Sequence, residues 1–465
     1  MEKNSSNREQ KYGSEGGMKE SRAQRFMKRE KGEKAEKKAP LGRGTHRHAE
    51  RRKSVFSRAE ILGDKKIPDD ARDIIENFGD IAADVMGLSS KQRVFLAAEI
   101  RKLSHKLTDE RTTRRVGYMN DAQSVSAYIS YFMWWNIVRL TRLFSSLPKK
   151  ALGIPDGGIA IDIGSGPLTA VTALYLARPE LRSRRITWYC MDISQNALAQ
   201  GEEIFLSVAA KILSKGGKAE PWRIIRVKGA IGTEIKEKAS LVTCANAFNE
   251  MIQNETMPTD FLAKKYSGTI ESYLEGDGSK PATAILVEPG DPHSARFVSL
   301  MRDAFIRRGF LPVSPCPHAG ECPMAGRTQG KRDGKWCNFA FSTDGAPDKL
   351  LKLSEKAGLP KERASLSFVV CRKDSAEEAE KKRAAELEKI GEERKDARLR
   401  IRIASDFIKL PELHKSGYYA CSELGLLLAI DESGARPKNG ESLEIPYPQG
   451  KLAKDKKSGA RIVSI

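Results

Sequence analysis

The chain has 465 residues and a mass of 51.5 kDa, enough for two or three domains around at least one large core. Its 81 Lys+Arg exceed 61 Asp+Glu by 20, and with 40% hydrophobic residues and a mean hydropathy of −0.48 it is neither membrane-embedded nor wholly disordered. No apolar run reaches the ~18 residues of a spanning helix, and Met1-Glu2-Lys3-Asn4 lacks the apolar core of a secretory signal. The expectation is a cytoplasmic chain with no membrane partner. Seven cysteines, an odd number, argue against a disulfide framework and for free thiols, a metal site or a nucleophile.

In chain order, residues 1–60 form a basic tail with 18 Lys/Arg against 9 Asp/Glu and few large apolar side chains. Such a segment cannot offset its ordering entropy by burial, so it is expected to be disordered. A basic arm suits a polyanion, because phosphate contacts release counterions without requiring a fixed fold. Its nine acids set it apart from a mitochondrial transit peptide.

Residues 61–150 read as a helical domain. The segment Tyr128 to Leu147 is apolar on more than one face, as in a helix buried between other elements, with Trp134 and Trp135 in the core. Arg111, Arg114 and Arg115 precede it as three cations in a polar connection.

Residues 151–374 alternate apolar strands with helices. Strands are expected at Ile159–Ile163, Ile186–Met191, Arg223–Val227, Leu241–Cys244 and Ala284–Val287, with helices after Thr169, Gln195, Pro258 and His293. That alternation implies an α/β fold built on a parallel sheet. Residues 311–340 form a Cys-rich insertion with little to make a core, residues 375–398 a charged connecting helix, and residues 399–465 a small β-rich domain with a basic end.

The first strand leads into Asp162-Ile163-Gly164-Ser165-Gly166-Pro167, at the sheet edge where doubly wound folds bind nucleotides. This is neither a dinucleotide fingerprint, since a third glycine is missing, nor a Walker loop, since Gly-Lys-Ser/Thr is absent. Asp-x-Gly-x-Gly with an acid closing the next strand suits S-adenosylmethionine. Asp192 stands where a carboxylate can accept both ribose hydroxyls, although it could simply cap the next helix. Asn246 and Glu250 follow the fourth strand and open on the same crevice. Methyl transfer is an in-line displacement that positioning can largely supply, so no catalytic residue is assigned, and Cys244 reads as a strand thiol rather than a nucleophile. Strand three ends at Lys228 without the acid that often reads adenine.

Cys316, Cys322 and Cys337 lie among prolines and glycines, followed by Cys371 and Cys421. A rigid loop with free amides suits an iron–sulfur cluster, zinc could use the same thiols with His318, and buried free thiols would also fit the irregular spacing.

Taken in order, Gly117-Tyr118-Met119, Ala127-Tyr128, IDIGSGPLTA, MDIS, NAFNEM, VEPG, Cys316-Pro317-His318, Cys322-Pro323, Trp336-Cys337-Asn338-Phe339 and GYYACSELG resemble the ribosomal small-subunit assembly methyltransferase-like proteins of bacteria and mitochondria. The resemblance covers roughly residues 90 to 430. It implies a class I S-adenosylmethionine-dependent methyltransferase (Rossmann-like) core between an N-terminal helical domain and a small β-rich C-terminal domain. It also implies a [4Fe-4S] cluster on Cys316, Cys322, Cys337 and Cys421, with Cys371 as the alternative fourth ligand, and small-subunit rRNA as partner. An active rRNA methyltransferase is the neighbouring reading. A small-molecule methyltransferase with a structural zinc site is the alternative from another class.

Overall fold

The computed structural model describes residues 60–108, 119, 121–214, 216, 220–253, 255–276, 278–326, 334–381, 398–411 and 414–465. The tail up to residue 59, Arg111, Arg114 and Arg115, and most of the expected 375–398 helix lie outside them; within that helix, residues 376–381 are helical.

Helices α1 (Asp69–Glu76), α2 (Phe78–Val85) and α3 (Ser90–Thr108) come first. Next is one long helical run: α4 (Ala122–Ala127), a π-helical segment Tyr128–Met133, and α5 (Trp134–Ser146). The Asp121 carboxylate caps its start by accepting from the Ser124 N–H at 2.9 Å. Trp134 and Trp135 are buried as expected, their indole N–H groups donating to the Ile75 carbonyl at 2.8 Å and the Ser354 hydroxyl at 3.2 Å. Truncating a buried aromatic of this kind costs about 3–5 kcal/mol.

The expected strands form within a residue or two of their limits: β1 Ile159–Ile163, β2 Thr187–Asp192, β3 Arg223–Lys228, β4 Leu241–Ala245 and β5 Ala282–Pro289. Three further strands join them: β6 Leu311–Ser314, β7 Phe339–Ser342 and β8 Arg363–Lys373. The order is β3-β2-β1-β4-β5-β8-β6, with β7 also on β8. Strands β1 to β5 are parallel, but β8 runs antiparallel to β5, and β6 and β7 antiparallel to β8, so the sheet is mixed rather than parallel. Helices α6 (Thr169–Ala177), α7 (Pro179–Arg182), α8 (Gln195–Ser214), α9 (Phe248–Met251), α10 (Thr259–Tyr273), α11 (Pro292–Arg307) and α12 (Asp348–Lys356) complete this part. It is a class I methyltransferase fold with helices before it and a β-rich region after it.

The Cys-rich segment is less coreless than its composition suggests. Its ends are β6 and the start of β7, Phe339 is fully buried, and Met324 is 2% exposed. The C-terminal region is a second sheet, β13-β9-β11-β12-β14, with β10 paired to β11. Its strands are β9 Arg398–Ile403, β10 Ile408–Leu410, β11 Lys415–Ser422, β12 Gly425–Asp431, β13 Ser442–Pro446 and β14 Arg461–Ser464. β14 pairs parallel with β12, and of the basic residues at this end Arg461 lies on that strand while Lys451, Lys454, Lys456 and Lys457 precede it.

Candidate functional site

The seven residues expected to bind a cofactor, Asp162, Gly164, Ser165, Gly166, Asp192, Asn246 and Glu250, all line one cavity of about 320 Å³ at the carboxyl ends of β1, β2 and β4. The loop after β1 explains why. Gly164 has φ +65°, and a Cβ there would come 2.5 Å from the Ala247 Cβ, so only glycine lets the turn after β1 meet the turn after β4. Ser165 donates its N–H to the Met191 carbonyl at 3.0 Å and its hydroxyl to the Asp162 carbonyl at 2.9 Å, locking the loop to both strands. The close helix packing that a third glycine would give comes instead from Gly201 in α8, where a Cβ would lie 2.3 Å from the Pro167 backbone.

Asp162 is 1% exposed. Its Oδ1 accepts from the Thr243 hydroxyl at 2.6 Å, while Oδ2 is buried with no hydrogen-bond partner. Burial pushes this carboxyl up to about 7. Asp192 Oδ2 accepts from the Gly166 N–H and Oδ1 from the Ser194 N–H, both at 2.8 Å. It therefore does serve the turn before α8, and each oxygen retains a further lone pair for a ligand hydroxyl.

Asn246 adopts φ +56° and donates its N–H to the Val287 carbonyl at 2.7 Å. The turn that follows is held from beneath by Glu288, which accepts from the Phe248 and Asn249 N–H groups at 2.9 and 3.0 Å. Burial raises Glu288 to about 8. Cys244 is buried in an apolar cluster and its thiol is pushed well up by desolvation, the state of a packing residue and not of a nucleophile.

The cavity is also lined by Tyr128, quoted above only within a family motif, and by Asn136, which the sequence did not single out. Tyr128 opens the π-helical segment, a feature frequent at functional sites, and Asn136 lies in α5, which follows it. The available signal was Asn136, a lone amide inside YISYFMWWNIVRL. Beyond β3 the lining is Gly229, Ala230 and Ile231, apolar surface and backbone where an acid would otherwise stand. The lining thus includes a buried carboxyl with one unpartnered oxygen, a second carboxylate with lone pairs to spare, and an apolar stretch after β3.

A second convergence lies at the other end of the sheet. Burial raises Cys337 and Cys421 well above the ordinary thiol range, each helped by Cys316 and Cys322. Cys316 is pushed up to about 11 by burial, with Cys322 adding and Arg302 opposing. His318 Nε2 lies 3.2 Å from Cys421 Sγ, and Arg302 donates to Cys316 Sγ at 3.2 Å and to the His318 carbonyl at 2.7 Å. Arg402 donates to the Pro315 carbonyl at 2.9 Å. Cys371 is instead a residue of β8, fully buried, opposite Ala284 of β5. Among the described residues no three His, Cys, Asp or Glu side chains lie close enough together to hold a single metal ion.

The sequence matches the family described as mitochondrial small ribosomal subunit Rsm22 over residues 155–394. No curated protein matches it. Among solved structures, the chain is similar to precorrin-6y C5,15-methyltransferase from Geobacter metallireducens, at 10% identity over 49% of this chain and 84% of that one, TM-score 0.27. It is also similar to a putative RNA methyltransferase from Pyrococcus horikoshii, at 12% identity over 51% and 83%, TM-score 0.26. A third is the plantazolicin methyltransferase BpumL in complex with SAH, at 10% identity over 65% and 99%, TM-score 0.27.

Proposed function

The chain belongs to the Rsm22 family, and on that premise we propose that it is a small-ribosomal-subunit assembly factor that binds rRNA, S-adenosylmethionine and a four-iron cluster. The observation that carries the donor site is the buried, unpartnered Asp162 Oδ2 in the same cavity as Asp192 and the glycine loop. An ammonium group, as at the methionyl end of the donor, satisfies that oxygen. Ribose hydroxyls suit the remaining lone pairs of Asp192, and a flat base suits Gly229 to Ile231. When bound, the donor supplies an electrophilic methyl group. The chain's own part is to orient it, exclude water and bring an acceptor to the crevice beside Asn246 and Glu250.

For the cluster, Cys316, Cys322, Cys337 and Cys421 are the proposed ligands. A lone zinc ion with thiolates at ~2.3 Å demands a tight tetrahedron, whereas a four-iron cube holds its thiolates farther apart. Cys316, Cys322 and Cys421 all help to raise Cys337, and Cys316 and Cys322 help to raise Cys421, which supports one shared site for the four. Arg302 and Arg402 stand where they offset its negative charge. Its role in this reading is to tie the Cys-rich loop to β11, across the proposed boundaries at residues 374 and 399.

Deletion of the gene should cause immature small subunits to accumulate, reversed by re-expression. If rRNA methylation is unchanged in the deletion, the chain acts as a factor; one lost methyl group restored on re-expression makes it also an enzyme. Normal small-subunit maturation in the deletion contradicts the proposal. Fractionation of the same cells decides between the cytoplasm, expected from the sequence, and the mitochondrion named in the family's description.

A further inference from the structure

Behind the lining residue Asn136 lie two cations, Arg139 and Lys361, that have no acidic partner among the described residues. Arg139 follows Asn136 by one turn of α5, so it is the next side chain along the face that lines the cavity. Its guanidinium donates to Asn136 Oδ1 and, at 3.0 Å, to the Ser365 carbonyl. Lys361 lies two residues before β8, whose first residues pair with β7, and Arg139 acts on it electrostatically. Its Nζ lies 5.5 Å from the centroid of the Tyr131 ring and 5.3 Å from that of Trp135.

Both side chains are partly buried, and among the described residues neither has a carboxylate within ion-pair distance. Burial pushes Lys361 down to about 7, and Arg139 pushes it further in the same direction. Two like charges that act on each other are destabilising, and the rings beside Lys361 compensate them poorly. Such an arrangement is relieved by one anion placed between them. The guanidinium has five N–H donors and uses two here, and the ammonium has three, enough for both free oxygens of a phosphodiester.

We propose that Arg139 and Lys361 together grip one backbone phosphate of the RNA strand that enters the methyl-donor crevice. The proposal rests on the RNA-binding function above and adds to it a fixed point for the acceptor strand, one helical turn from the cavity wall. The chain's basic character favours an RNA phosphate over a protein carboxylate.

The test is the salt dependence with which the full chain binds a short fluorescent single-stranded RNA. Lys361→Met should flatten the slope of log K against log[salt] by about 0.7 and lose roughly fivefold in affinity near 0.1 M salt. Lys361→Arg should keep both, and Lys361→Met should leave affinity for S-adenosylhomocysteine unchanged. The melting temperature of unliganded Lys361→Met should rise, because an uncompensated cation has been removed. An unaltered slope in a folded Lys361→Met protein overturns the phosphate site while leaving the RNA-binding function standing. A wild-type chain that binds no RNA overturns both.

Discussion

Asp162 shows how one residue turns burial into ligand selectivity. Desolvation raises its carboxyl to about 7, while the unfolded chain ionises at the ordinary carboxylate value. The folded protein therefore holds a proton that the unfolded chain releases between those two values, and stability contributed at low pH is lost as pH rises towards 7. A ligand ammonium against Oδ2 reverses the preference, favouring the ionised form. Binding must then expel the proton below pH 7. Affinity for S-adenosylhomocysteine, measured by calorimetry, should be flat above pH 7 and weaken below it towards tenfold per unit. Asp162→Asn should bind at least tenfold more weakly above pH 7, with the pH dependence lost. Identical profiles for the two proteins would remove the ammonium from this place. Asp162, Asp192 and the loop glycines were legible because strand, turn and acid are contiguous in sequence. The place of Asn136 was not, because it lies on a buried helix before β1, far in sequence from the loop it faces.

Among the elements, β8 is where sequence reading and structure part. Arg363–Lys373 carries an almost unbroken buried run from Leu366 to Arg372, as a strand covered on both faces does, and no alternation marks its direction. Its antiparallel entry between β5 and β6 carries Cys371 into the sheet interior. By contrast, the β11–β12 hairpin was legible from its turn residues, with Cys421 opposite Leu426 near the turn. These two placements give opposite expectations for the two cysteines. Cys421→Ser should abolish the visible absorption and lower the iron content of the purified protein, and Cys371→Ser should retain both. The reverse outcome would move the fourth ligand into β8, and a protein free of iron under anaerobic purification would remove the cluster.

For the whole molecule, the surplus of 20 positive charges divides by position. Residues 1–60 and the last fifteen carry 13 of it, but the second group lies on and around β14, paired with β12 and therefore presented from a folded sheet. Among the described residues no helix is long and apolar enough to cross a membrane. The basic N-terminal sequence, the basic residues around β14, and Arg139 and Lys361, which have no acidic partner among the described residues, suit the same class of partner. The most direct measurement is sedimentation of the full chain with purified small and large ribosomal subunits over a range of salt. Co-sedimentation with the small subunit alone is expected, weakening steeply as salt rises. Deletion of residues 1–55 should weaken the binding and flatten its salt dependence without altering S-adenosylhomocysteine affinity. A chain that stays at the top of the gradient at low salt, or binds both subunits alike, would contradict it.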